Sequence, residues 1–301
     1  MKKALVISAL FLAGAAFFGC GGGPRVVLDP ESAAFYETAR LIMSAEEKDI
    51  FNHLPDAASR REFIEDFWRK RDPLPETEEN EFQKEFFGRI EYANKRFKEG
   101  GPGWNTDRGR IYIFMGPPDK HEEFFTHGDS EVRGPILWWI YYNYELGIEF
   151  VDERNNGTFK MRNYQGDFFS ALDNIKMGGV PTLKGEKRKF VNFKLAYVAS
   201  RKTIEIRIPA EAFNFRDEQG QLRADLDLEF SVYAKGMAKI EEFHERWSFA
   251  QPYDTAAEMK EVFISLSHEL APGEYFLDAT IIGPDGTLGK TRKIFAVKVE
   301  N

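Results

Sequence analysis

The chain has 301 residues, 43% of them hydrophobic and 15% aromatic, enough apolar mass for two ordinary domains with their own cores. A formal net charge of −8 excludes the usual kind of nucleic-acid binder, because phosphate binding rests on clustered lysine and arginine. Twenty-eight phenylalanines mark aromatic-rich packing and exclude a disordered chain.

The first twenty residues, MKKALVISALFLAGAAFFGC, carry two lysines, an apolar stretch from Ala4 to Phe18, and then Gly19-Cys20. The stretch is short for a membrane-spanning helix and is laid out like an export signal. Cys20 is the only cysteine, so it has no partner for a disulfide within the chain. The segment resembles the lipobox of bacterial lipoproteins, in which a small residue precedes a cysteine that becomes lipidated; Phe17 departs from the Leu usual three residues before that cysteine. The resemblance implies a signal peptide over 1–19, an acyl (palmitate) anchor on Cys20, and residence in the bacterial cell envelope, at the outer membrane facing the periplasm or the surface. An ordinary signal peptide with an incidental cysteine is the alternative. Cleavage would remove Lys2 and Lys3 and take the net charge from −8 to −10. Residues 20–34, opening with Gly21-Gly22-Gly23-Pro24, read as a tether that reaches at most about 50 Å between Cys20 and Phe35.

Three helices are expected next. Ser44 and Glu47 have capping-box spacing, for a helix that ends near Leu54-Pro55. A second helix starts near Asp56, carries Phe63, Ile64, Phe67 and Trp68 on one face, and stops at Asp72-Pro73. Thr77 is the expected N-cap of a third, whose stripe runs Phe82, Phe86, Ile90, Ala93 and Phe97 until Gly100-Gly101-Pro102-Gly103 ends it. The run RIYIFM then reads as a strand buried on both faces, turned by Gly116-Pro117-Pro118-Asp119. ILWWIYY and LGIEFV read as two further strands, and Asn156-Gly157 as a two-residue hairpin turn. The expected class is α+β, with helices packed on a small antiparallel sheet.

FWRKRDPLP (67–75), EFFGRIEYANKRF (85–97), GWNTDRGRIYIFMGPPD (103–119), LWWIYY (137–142) and LGIEFVD (146–152) stand in the order and spacing of the GWxTD domain. The chain therefore resembles this family of bacterial envelope proteins over residues 35–165, departing from it at Met115, where relatives tend to have Tyr. The family is defined by sequence, so the resemblance implies a domain without implying an activity.

Gly103, Trp104, Thr106, Asp107, Arg108, Gly109, Arg110, Gly116, Pro117, Pro118 and Asp119 form the candidate binding turn. Thr106 and Asp107 are turn formers whose side-chain oxygens accept from nearby backbone N–H groups. Gly109 suits a positive φ. Trp104 is large enough to wedge the turn against the preceding helix. Arg108 and Arg110 flank it within reach of Asp72, Asp107 or Asp119. Two readings stand: a hydrogen-bonded corner that locks helices onto the sheet, or an arginine-lined notch for a carboxylate, phosphate or peptide terminus. Turn residues beside a buried strand usually serve geometry, which favours the corner.

No catalytic set, metal site or cofactor motif is expected. The histidines are His53, His121, His127, His244 and His268. In HEEFFTH the two histidines are six apart, about 240° around a helix or about 20 Å along a strand, whereas a zinc helix needs a spacing of four. GxSxG and P-loop motifs are absent from the sequence.

Residues 166–187 read as a linker with a short helix near 167–176, and 188–301 as an all-β domain. Val191, Phe193, Leu195 and Tyr197 alternate, as do Ile204, Ile206 and Ile208, then Leu226, Leu228, Phe230 and Val232, and Tyr275, Leu277, Ala279 and Ile281. Phe243, Trp247 and Phe249 share a face, KIFAVKV is the last strand, and NFRDEQGQL and GPDGTLG are turns. About seven short strands suggest a sandwich able to fold alone. LAPGEY (270–275) resembles the tyrosine corner of immunoglobulin-like domains.

Three functions of different class follow: a non-enzymatic protein-interaction or assembly module with an envelope protein partner, an envelope hydrolase acting on peptidoglycan or polysaccharide through paired carboxylates, and a carbohydrate-binding module using Trp138, Trp139, Tyr141 and Tyr142. The order of Gly-Pro-Asp turn, Trp/Tyr strand and short strand is similar to small lipoproteins that assist outer-membrane assembly, which favours the first.

Overall fold

Local capping fixes the helices of the first half in a computed structural model that describes residues 28–125, 134–178, 191–284 and 288–300. The expected signal peptide, the lipidation residue Cys20, His127 and the second half of the expected linker lie outside the described residues. Asp29 caps α1 (Pro30–Ala39), accepting from the Ser32 amide at 3.0 Å, with Pro30 at the first helical position. Residues 30–34, read as tether, are therefore helical. Ser44 and Glu47 make the reciprocal capping box of α2 (Ala45–His53), and Asp56 caps α3 (Ala57–Arg69). The cap of α4 (Glu81–Arg96) is Asn80, not Thr77. Thr77 lies four residues before the helix, with its hydroxyl 2.8 Å from Glu81 Oε1 and 3.0 Å from the Leu74 carbonyl, while Asn80 abuts the helix and accepts from the Gln83 amide.

The run expected as a buried strand is a helix, α5 (Asp107–Met115). Ile111, Ile113 and Met115 are buried while Tyr112 and Phe114 are half-buried, so this short helix is enclosed nearly all round. An apolar run covered on most of its surface loses the helical period that would distinguish it from a strand. Thr106 caps it, and Gly116 ends it at φ 77°, where its amide donates to Tyr112.

A four-stranded antiparallel sheet follows in sequence order: β1 (Lys120–Phe125), β2 (Pro135–Tyr141), β3 (Leu146–Val151) and β4 (Lys160–Gln165). The expectation of two residues in the β3–β4 turn is corrected to the loop 152–159. Asp152 organises it, accepting from the amides of Asn156 and Gly157, with Asn155 and Gly157 at positive φ. Helix α6 (Phe168–Gly178) coincides with the helix expected in the linker, but Phe168, Ala171 and Ile175 are buried in the core of the first half.

The second half is a β-sandwich. One sheet has the order β10-β6-β5, from β5 (Lys194–Val198), β6 (Thr203–Pro209) and β10 (Glu261–Ser267). The other has the order β12-β11-β8-β7, with β9 also paired to β8. Its strands are β7 (Arg216–Glu218), β8 (Gln221–Ala234), β9 (Lys239–Pro252), β11 (Gly273–Gly283) and β12 (Gly289–Val299), and α7 (Tyr253–Ala257) follows β9. The expected alternations set the sandwich core, in which Ile204, Ile206, Leu226, Leu228, Leu277 and Ala279 are fully buried. The Tyr275 hydroxyl donates to the Ala271 carbonyl at 2.9 Å, as a tyrosine corner requires. The opposite face of the five-stranded sheet does not meet water throughout. Tyr233 and Ile294 join the helical core, with Phe276 packed against it, so the sheet lies between the second sheet and the helices.

Candidate functional site

The motif is a corner at the N-terminal end of α5. Gly103 passes so close to α4 that a Cβ would collide with the Ala93 carbonyl, and Gly109 passes equally close to the Gly103 carbonyl. Gly109 is helical, so close approach and not a positive φ is what demands glycine there. Thr106 Oγ1 donates to the Gly103 carbonyl at 2.8 Å and accepts from the Gly109 amide at 3.0 Å. The Trp104 amide donates to Asn94 on α4 at 3.1 Å, while its half-buried ring lies beneath the Arg40 guanidinium. Asp107 accepts from the Met161 amide of β4 at 3.0 Å.

Neither arginine reaches the acids expected of it. Arg108 pairs with buried Glu99 through Nε at 2.6 Å, and its guanidinium stacks over Phe159 at 4.2 Å. The second oxygen of Glu99 accepts from the Phe159 amide at 3.0 Å. Arg110 donates to Asn105 at 2.6 Å on the surface. The Asp72 carboxylate accepts from the Leu74 amide at 3.0 Å, and Asp119 accepts from the Tyr142 amide at 2.8 Å.

The remaining motif residues, Gly116, Pro117, Pro118 and Asp119, stand at the other end of α5, about 13 Å along its axis. The Gly116 carbonyl accepts from Tyr141 at 3.1 Å, and buried Arg89 donates to the Ile113 and Phe114 carbonyls at 3.3 Å each. The seventeen-residue motif is thus two joints on one helix, one to α4 and β4 and the other to β2.

A second constellation was not singled out from the sequence. Five buried ionic side chains alternate in sign across the contact between the helices and the sandwich: Arg71, Glu47, Arg292, Asp278 and Lys70. Arg71 Nη2 lies 2.7 Å from Glu47 Oε2, and Arg292 Nη1 lies 2.8 Å from Glu47 Oε1. Arg292 also holds Asp278 through Nε and Nη2, each at 2.8 Å. Lys70 Nζ donates to Asp278 at 2.7 Å and to Ser231 at 2.9 Å. Burial pushes the Asp278 carboxyl up, but Arg292 and Lys70 outweigh it and hold it well below the usual carboxylate range. Glu47 follows the same pattern, with Arg71 and Arg292 overcoming burial. Burial drives the Lys70 ammonium below its usual range against the pull of Asp278. At the edge of this contact Lys239 meets Glu62, Asp66 and Glu242 within 3.1 Å, and Arg69 bridges Asp66 and Glu242. The arrangement ties α2 and the C-terminal end of α3 to β8, β11 and β12. Its sequence signal was the charged WRKRD end of an aromatic helix, together with an aspartate inside the β-prone run FLDATII.

The third feature is a groove of about 480 Å³ on the outer face of the four-stranded sheet. Alternation along β2 buries Leu137, Trp139 and Tyr141 and turns Trp138 and Ile140 outward to line it. Of the four aromatics considered as sugar contacts, only Trp138 and Tyr142 are therefore accessible. Among the described residues no group of His, Cys, Asp and Glu could hold a metal, and no helix is long and apolar enough to cross a membrane.

Helices locked to a small sheet by the corner, followed by a β-sandwich, define a two-part α+β protein. Residues 30–177 match the GWxTD domain family, so this half of the chain is a GWxTD domain. The match includes α1 and α6, both of which pack into its core. No curated protein matches the chain. Among solved structures, a superoxide reductase (neelaredoxin) from Ignicoccus hospitalis is similar at 16% identity over 36% of this chain and 81% of its own, with a TM-score of 0.23. The chicken interferon gamma receptor alpha chain is similar at 9% identity over 55% of this chain and 66% of its own, also with a TM-score of 0.23. Neither likeness bears on function at these scores.

Proposed function

We propose that the protein is a lipid-anchored lipoprotein of the bacterial cell envelope whose folded part is a non-enzymatic docking or assembly module. The observation that carries this reading is the lone cysteine at position 20, directly after an apolar run and a glycine and ahead of Gly-Gly-Gly-Pro. Two structural features support a docking role. The polar groups of the motif corner are taken up inside the fold, and the outer sheet face offers aromatic side chains to a partner. The tether would let this body stand off an outer membrane while facing a partner in the envelope. The test compares wild type with Cys20→Ala in membrane and soluble envelope fractions, with intact mass on both. Wild type is expected in the membrane with acyl mass, and the variant in the soluble fraction. A wild-type protein that is fully soluble and unacylated would sink the proposal.

A further inference from the structure

The groove on the outer face of the four-stranded sheet brings aromatic rings and carboxylates together. Its floor is Trp138, whose ring leans over Gly147, where a Cβ would come within 3.3 Å of the ring. A side chain at 147 would make the indole give way by a few tenths of an ångström. Phe124 and Tyr142 rise on either side, 48% and 63% exposed. Two carboxylates, Glu122 and Glu145, stand in the lining beside Gln165, and among the described residues no lysine or arginine lines it. Lys120 pairs with Glu122 from the strand end, whereas the Glu145 carboxylate makes no hydrogen bond or ion pair among the described residues. Glu145 also holds a left-handed backbone conformation (φ 51°) that glycine or asparagine would adopt more easily.

Aromatic faces attract a cation through their quadrupoles, most strongly the indole, and carboxylates beside them select positive charge over a neutral guest. Among the described residues β1 stands at the sheet edge, with one row of its backbone N–H and C=O groups unpaired within the sheet. An extended segment added along that edge would direct every second side chain to the face carrying Glu122 and Phe124. Resting on the docking-module reading above, we infer that this face binds a basic, extended segment of a partner protein, seating a lysine or arginine between Trp138, Tyr142, Glu122 and Glu145.

The full-length protein, in detergent, is to be presented to an immobilised heptapeptide library with lysine, arginine, ε-acetyl-lysine, norleucine or glutamate at the centre and mixtures elsewhere. Salt at about 0.15 M, where the Debye length is about 8 Å, suppresses attraction by the overall negative charge. Lysine and arginine peptides are expected to be retained about tenfold better than the other three classes. Tyr142→Ala and Glu145→Gln, both at exposed positions, should each abolish most of that preference without lowering the melting temperature. Equal retention of lysine and acetyl-lysine, or an undiminished preference in both variants, would overturn the inference. Displacement of bound peptide by a neutral oligosaccharide, with equal retention of all peptide classes, would assign the groove to sugar instead. Failure here leaves the Cys20 fractionation untouched, so the two proposals fail separately.

Discussion

Replacing Asp278 with asparagine removes the carboxylate that Arg292 and Lys70 share. Both cations lose a partner at 2.7–2.8 Å, and all three side chains are buried. Lys70 keeps Ser231 and Arg292 keeps Glu47, so neither is wholly orphaned. Breaking a buried ion pair by removing one partner costs about 3–5 kcal/mol, and the surviving contacts place the expected loss near the middle, about 4 kcal/mol. For a chain of this size that corresponds to a fall in melting temperature of roughly 10 °C. Because the cluster joins both halves, wild type should melt in one transition by calorimetry and Asp278→Asn in two. Adding Lys70→Met to Asp278→Asn should recover part of the loss, since it removes the stranded ammonium. The pH dependence has a definite sign. Asp278 and Glu47 have folded values below their unfolded ones, so their contribution is complete above about pH 5 and is lost as acid titrates them through the lower folded values. Asp278→Asn should flatten that acid limb. A loss under about 1 kcal/mol, with a single unshifted transition, would refute the reasoning.

Gly103→Ala and Gly109→Ala should each destabilise more than Thr106→Ala, because a backbone carbonyl blocks the new methyl group, whereas the cap is worth about 1 kcal/mol; urea midpoints give the order. Arg108→Ala leaves buried Glu99 with only the Phe159 amide and should cost roughly 2–3 kcal/mol in the same assay, whereas exposed Arg110→Ala should cost under about 0.5 kcal/mol. Tyr275→Phe should cost about 1 kcal/mol by removing the bond to the Ala271 carbonyl, with unchanged far-ultraviolet circular dichroism.

What could be read from the sequence was short-range. Ser44 and Glu47, or Asp56, act within one turn of their own helix, so their spacing alone announces them. The sandwich strands were legible because one face meets the core and the other is more polar, and the LAPGEY loop because its hydrogen bond spans four residues. RIYIFM misled because Arg110 is the one exposed residue of its six, and a single polar position reports no period. The role of Arg108 was missed because Glu99, its partner, lies beyond the glycines that seemed to close the preceding unit. The charge cluster was out of reach for a simpler reason: Lys70 and Asp278 are 208 residues apart, and each alone passes for surface. Glu47 shows both sides, since the residue recognised as a helix cap is also the hub of that cluster.

The β8–β9 hairpin has a mechanical consequence. Each strand has 14 residues, and the two are paired along nearly their whole length, about 45 Å. The turn end is clamped to α3 through Lys239 and through Glu242 with Arg69, while the far end, near Gln221 and Pro252, carries β7 and α7. A pull on that far end along the strand axis would run along both strand backbones to the clamped turn, with the inter-strand hydrogen bonds lying across the load and not carrying it. Tension would pass down the hairpin into α3 and the helical half, so load applied at the far end of the sandwich would reach the helices through the clamped turn without unzipping the strands.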